Sequence, residues 1–120
     1  MKFFTPKEAN QTLPLVKKIV GDILKAGQAI RELSMERAKP EEDPEIIRLM
    51  DHLDELFEEL ETIGCSYKDW NFSDGLVDFP SVLNGKEVCL CWRSDEASVE
   101  YFHGAEEGFT GRKAIPKEWA

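Results

Sequence analysis

The sequence predicts an α+β fold: an antiparallel, coiled-coil-like helical hairpin packed on a small antiparallel sheet of three to four strands. Three observations lead there. Apolar residues recur at 3-4-3-4-3 spacing in two segments of the first half, separated by a charged stretch carrying two prolines. From Gly75 onward the apolar period drops to two. Within that region Asn84 and Gly85 separate two alternating runs, which suits a two-residue type I′ turn.

The first helix starts at "FTPKEA", where Thr5 can cap, Pro6 fits the first helical position and Glu8 completes a capping box. Pro14 lies inside the expected helix, which predicts a kink or short break near Thr12 and Leu13. Beyond it Val16, Ile19, Ile23, Ala26, Ile30 and Leu33 form one stripe, widened by Val20 and Leu24, and Gly27 marks a close helix contact. "ERAKPEEDPE" reads as a surface loop, and Asp43 with Pro44 restarts a helix. Ile46, Leu49, Leu53, Leu56, Leu60 and Ile63 make its stripe, Met50 and Phe57 extend it sideways, and Gly64 stops it. The two helices span 6–38 and 44–64 and the β region 75–115, all within a single domain, 1–120.

In the β region "GLVDFPSVL" and "KEVCLCWR" pair across the turn, "SVEYFH" follows as a third strand and "RKAI" as a short fourth. The turn sets Asp78 opposite Cys91 and Phe79 opposite Leu90. Val77, Phe79, Val88, Leu90 and Trp92 then face the core, and Asp78, Pro80, Cys89, Cys91 and Arg93 face away from it. For the third strand, pairing Cys91 with Glu100 keeps that carboxylate off the core face and sends His103 to the sheet's end. The competing register pairs Cys89 with His103, at the cost of a buried carboxylate. The favoured row is therefore Asp78–Cys91–Glu100, with Arg93 nearby.

Composition narrows the function. The 120 residues carry 15 Lys and Arg against 24 Asp and Glu, a net charge of −9, which argues against nucleic acid as a partner. The sign is uneven: +4 over 1–40, −9 over 41–64 and −4 over 65–120. Opposite charge on adjacent segments predicts that they pack on each other. No apolar run is long enough to span a bilayer and no secretory signal opens the chain, so a cytoplasmic protein without a membrane partner is expected. Three cysteines do not make an extracellular disulfide framework.

Asp78, Cys91, His103 and Cys89 are donors of the types that hold zinc or iron. Asp78, Arg93, Glu96, Glu100 and Arg112 are candidates for an anion or acid–base site, against the plainer reading of cross-strand ion pairs. "GFTGR" lacks the full phosphate-loop pattern. Cys89 and Cys91, about 6.6 Å apart along a strand, are poorly placed for a disulfide. His52 reads as solvated and Cys65 as packing. No catalytic residue is identified. The favoured function is a non-catalytic module that docks a protein partner or self-associates as a homodimer, using Val20, Leu24, Met50 and Phe57 as its contact surface. The alternative is a metal- or anion-binding protein.

"FTPKEANQTLP", "GLVDFPS", "CLCWRSDE", "YFHGAEEGFTGR" and "KAI" together resemble a prokaryotic family known as domain of unknown function 2203, over almost the whole chain. The resemblance implies a small cytosolic protein without an established activity. It also implies weight on Asp78, Cys91, Trp92, Glu96, His103, Gly111 and Arg112, all present where the family pattern has them. Asp95 stands where the family often has Gly, and Phe102 where it has Trp.

Overall fold

A computed structural model describes residues 2–119. The capping box forms as expected: the Glu8 amide donates to Thr5 Oγ1 and the Thr5 amide to Glu8 Oε1, opening α1 (Pro6–Glu36). The helix does not break at Pro14. A helix-interior proline costs about 3 kcal/mol. Leu13 and Val16, on either side, are both buried, and each contributes about 1.5–3 kcal/mol. Packing therefore outweighs the lost hydrogen bond.

A 3₁₀ turn (Pro40–Glu42) leads to α2 (Pro44–Ile63), capped by Asp43 Oδ1, which accepts from the amides of Glu45 and Ile46. Gly64 ends α2 in the left-handed conformation, φ 110°. The helices meet through their apolar stripes. Among the described residues, the ion pairs between the two helical segments are those of Arg37, with Asp43 and Glu45 beside the connecting turn. The two oppositely charged segments do pack on each other, as expected, but through apolar stripes rather than a ladder of ion pairs. Desolvating many long side chains gives little return at an exposed surface.

Five strands, one or two more than expected, form an antiparallel meander in the order β1-β2-β3-β4-β5. They are β1 (Ser66–Tyr67), β2 (Leu76–Leu83), β3 (Lys86–Arg93), β4 (Tyr101–Gly104) and β5 (Lys113–Ala114). At two residues, β1 is too short for any alternation to announce it. The Asn84-Gly85 turn has φ 53° and 78°, the double positive φ that a type I′ turn needs. It sets Asp78 opposite Cys91 and Phe79 opposite Leu90, as expected.

The next register differs from the favoured one. Cys91 lies opposite Tyr101 and Cys89 opposite His103, so the central row is Ser66–Asp78–Cys91–Tyr101–Ala114. The rejected register was to bury Glu100. Instead the chain leaves the ladder before that residue: Val99 turns into the core while Glu100 is exposed. Asn10 of α1 holds this detour, accepting from the Val99 amide (2.7 Å) and donating to its carbonyl (3.2 Å).

Val77, Phe79, Leu90 and Trp92 form the core with Leu13, Val16, Val20 and Ile23 of α1 and Leu53, Leu56 and Leu60 of α2. Gly27 does mark a close approach, but to the Phe72 ring in the β1–β2 loop rather than to a helix. Of the four residues expected to form a contact surface, Val20 is buried and Leu24 and Phe57 pack on the core. Met50 alone is exposed. No helix among the described residues is long and apolar enough to cross a membrane.

Candidate metal site

On the sheet face away from the helices, neighbouring strands bring three different donors together. Asp78 comes from β2, Cys91 from β3 and His103 from β4. Their ligand atoms all lie within 4.8 Å of one another and all three residues are buried. His103 is therefore not at the sheet's end. Sitting opposite Cys89 one row along, it reaches diagonally to Asp78, with Nε2 3.1 Å from Oδ1.

The second ring nitrogen fixes the chemistry of the first. His103 Nδ1 is 2.8 Å from the Gly104 carbonyl, which can only accept, so Nδ1 carries a proton. In the neutral ring Nε2 is then an acceptor, and it faces a carboxylate oxygen that is also an acceptor. Two acceptors at 3.1 Å need a cation between or beside them, either a proton or a metal ion. Cys91 strengthens the point. Burial first, and the Asp78 charge second, push its thiol up to about 12, so at neutral pH it holds a proton that a metal would displace.

Tetrahedral zinc, with bonds of about 2.0–2.3 Å, places its ligand atoms roughly 3.3–3.8 Å apart. The triad needs to close by about an ångström to grip such an ion. Backbone-directed Nδ1 is also the usual support for a histidine that ligates through Nε2. The donor set therefore fits a divalent transition metal. It offers three ligands, and a tetrahedral ion held by them would have one position left for an outside ligand.

The triad lines a cavity of about 330 Å³, walled also by Lys68, Glu107 and Phe109. Lys68 and Glu107 escaped sequence reasoning. Neither lies in a strand next to a ligand, and only the packing of the loop after Gly104 brings Glu107 over the sheet.

The other candidates are placed as follows. Cys89 is half-buried and outside the triad, its thiol raised by burial. Arg112 Nη2 donates to Glu96 Oε1 at 2.6 Å and to the Cys91 carbonyl at 3.1 Å. Its guanidinium lies over the Tyr101 and Phe109 rings, 4.2 and 4.6 Å from their centroids, and its buried Nε has no partner among the described residues. Glu96 Oε1 also accepts from the Arg93 amide, and Trp92 Nε1 donates to the Glu96 carbonyl. Glu96 and Arg112 thus brace the β3–β4 loop and hold the backbone of Cys91. The Arg93 guanidinium pairs with Asp95. Both arginines are therefore committed to carboxylates, while Glu100 lies outside the cluster. His52 is exposed and Cys65 is buried, its thiol pushed up to about 12 by burial. All three cysteines are free.

A family model described as an uncharacterized conserved protein (DUF2203) matches residues 2–115. No curated protein and no solved structure matches the chain. With a family model spanning nearly its whole length, an α+β fold and a site built on the motifs noted above, the chain belongs to the uncharacterized conserved protein family DUF2203.

Proposed function

We infer that this protein binds a divalent transition metal, zinc being the best match to the donor set, through Asp78 Oδ, Cys91 Sγ and His103 Nε2. One observation carries the reading: a carboxylate, a thiol and an imidazole from three neighbouring strands converge within 4.8 Å in a buried setting. The Gly104 carbonyl, which orients His103, supports it. Self-association through the helical hairpin has less behind it, since three of the four residues offered for contact are covered within the chain itself.

The test is elemental analysis of protein purified without a histidine tag, followed by competition against a chromophoric chelator. About one zinc per chain is expected, weakened by 10-fold or more in His103→Ala and Cys91→Ser. A folded protein that takes up less than about a tenth of an equivalent from excess zinc would refute the reading.

A further inference from the structure

We propose that Glu107 is the proton acceptor of this site, acting on a water in the open position, and that the substrates are small uncharged carbonyl compounds such as esters. The inference rests on the metal-binding reading above. A tetrahedral ion held by three protein donors leaves one position to an outside ligand, the arrangement typical of catalytic rather than structural zinc. The space over that position is the 330 Å³ cavity, near the lower end for small-molecule sites.

Glu107 lines the same cavity and is held in place. The Gly104 amide donates to Oε1 at 2.8 Å, and the Glu107 amide donates back to the Gly104 carbonyl at 3.0 Å. Two glycines make room for the side chain. A Cβ on Gly104 would lie 2.8 Å from Oε1, and one on Gly111 would lie 2.8 Å from Glu107 Cβ and 2.9 Å from Oε2. Among the described residues Oε2 accepts no hydrogen bond, so one carboxylate oxygen is anchored and the other is available to a proton. The anchoring residue, Gly104, is also the one whose carbonyl orients His103. A single residue, Gly104, therefore sets both a proposed metal ligand and the proton acceptor.

Charge selects the substrate. A divalent ion is balanced by the Asp78 carboxylate and the Cys91 thiolate. What remains around the cavity is Lys68 against Glu106 and Glu107, a net negative wall that repels anions. In the step itself, Glu107 Oε2 takes one proton from the water, whose oxygen attacks the carbonyl carbon with the freed electron pair. The carbon–oxygen bond to the leaving group then breaks, and Glu107 returns the proton to the departing alkoxide.

The experiment compares wild type, Glu107→Gln and, as a control on the exposed face of α2 outside the cavity, Glu59→Gln. Each is loaded with zinc for hydrolysis of 4-nitrophenyl acetate, and with cobalt(II) for a visible-absorption titration over pH 5–10. Glu107→Gln should lower kcat/KM by 10²- to 10⁴-fold and shift the midpoint of the cobalt transition by at least one pH unit. Zinc affinity should stay within threefold in all three proteins, and Glu59→Gln should match wild type. If metal binds and Glu107→Gln titrates as wild type does, the role of Glu107 is overturned while the metal reading stands; this holds even if no form cleaves the ester. If wild type binds no metal, the reading beneath it has failed.

Discussion

Replacing Gly27 with alanine sets two opposing effects against each other. In a helix interior the change is worth about 0.5–1 kcal/mol of stability, because glycine loses more backbone freedom on folding. At Gly27, however, the new Cβ would lie 2.3 Å from Phe72 Cγ and 2.8 Å from Phe72 Cβ. Carbon atoms pack at about 3.5–4.0 Å, so the ring must retreat by more than an ångström. Rotating it does not suffice, since Phe72 Cβ is itself too close. The Phe72 backbone is already in the left-handed region, φ 55°, and its ring stacks on Tyr67 at 5.9 Å. Overpacking of this kind costs about 1–3 kcal/mol, so after subtracting the helix gain the net expectation is a loss of about 1 kcal/mol. Gly21 is the internal control: it lies in the same helix with nothing within 4 Å of its Cβ position. Gly21→Ala should therefore stabilise by about 0.5–1 kcal/mol. Urea unfolding followed by circular dichroism reads both, and with a slope of about 1–3 kcal/mol per molar the two midpoints should move in opposite directions. In a Phe72→Ala background the Gly27 substitution should turn neutral or favourable. A Gly27→Ala protein at least as stable as Gly21→Ala would refute the reasoning.

Two further outcomes are expected. Asn10→Ala strips the Val99 peptide of both its partners and should cost about 2 kcal/mol, with faster amide exchange at Val99; unchanged exchange there would contradict the clamp. Stability should also fall at alkaline pH. Burial raises the Cys65 and Cys91 thiols from 9.0 to about 12 and raises the Tyr67 hydroxyl as well. The folded chain keeps protons that the unfolded chain releases from about pH 9, so this stability is complete below pH 9 and lost as pH climbs toward 12. Denaturation midpoints that stay level between pH 8 and 11 would count against it.

Elements written in local chemistry were legible from the chain. Thr5 with Glu8, Asp43 with Pro44, and Gly64 each act within one helical turn, so the helix ends followed from a few residues. Asn84-Gly85 likewise fixed Asp78 against Cys91, because a two-residue turn leaves one register. The position of His103 was not legible. It depends on where the chain re-enters the sheet after the β3–β4 loop, and a side chain 89 residues away, Asn10, holds that point. Burial of the triad was illegible for a similar reason. The loop after Gly104 has no alternation of its own, yet it folds back over the sheet. The opposite net charges of the two helical segments anticipated that they pack together, but net charge over a segment does not say which faces meet.

The Asn10 clamp has a consequence for how the site was assembled. A strand's side chains alternate between faces, so a shift of one residue in β4 would turn His103 toward the hydrophobic interior and Phe102 toward Asp78. By fixing Val99, Asn10 decides the parity of everything after it. The long helix is thus more than a lid on the core. It acts as a gauge block, setting from the opposite side of the sheet which of two faces receives the imidazole. Mutations on the far side of the molecule, touching none of the three side chains, therefore have a direct route to the geometry of the Asp78–Cys91–His103 cluster.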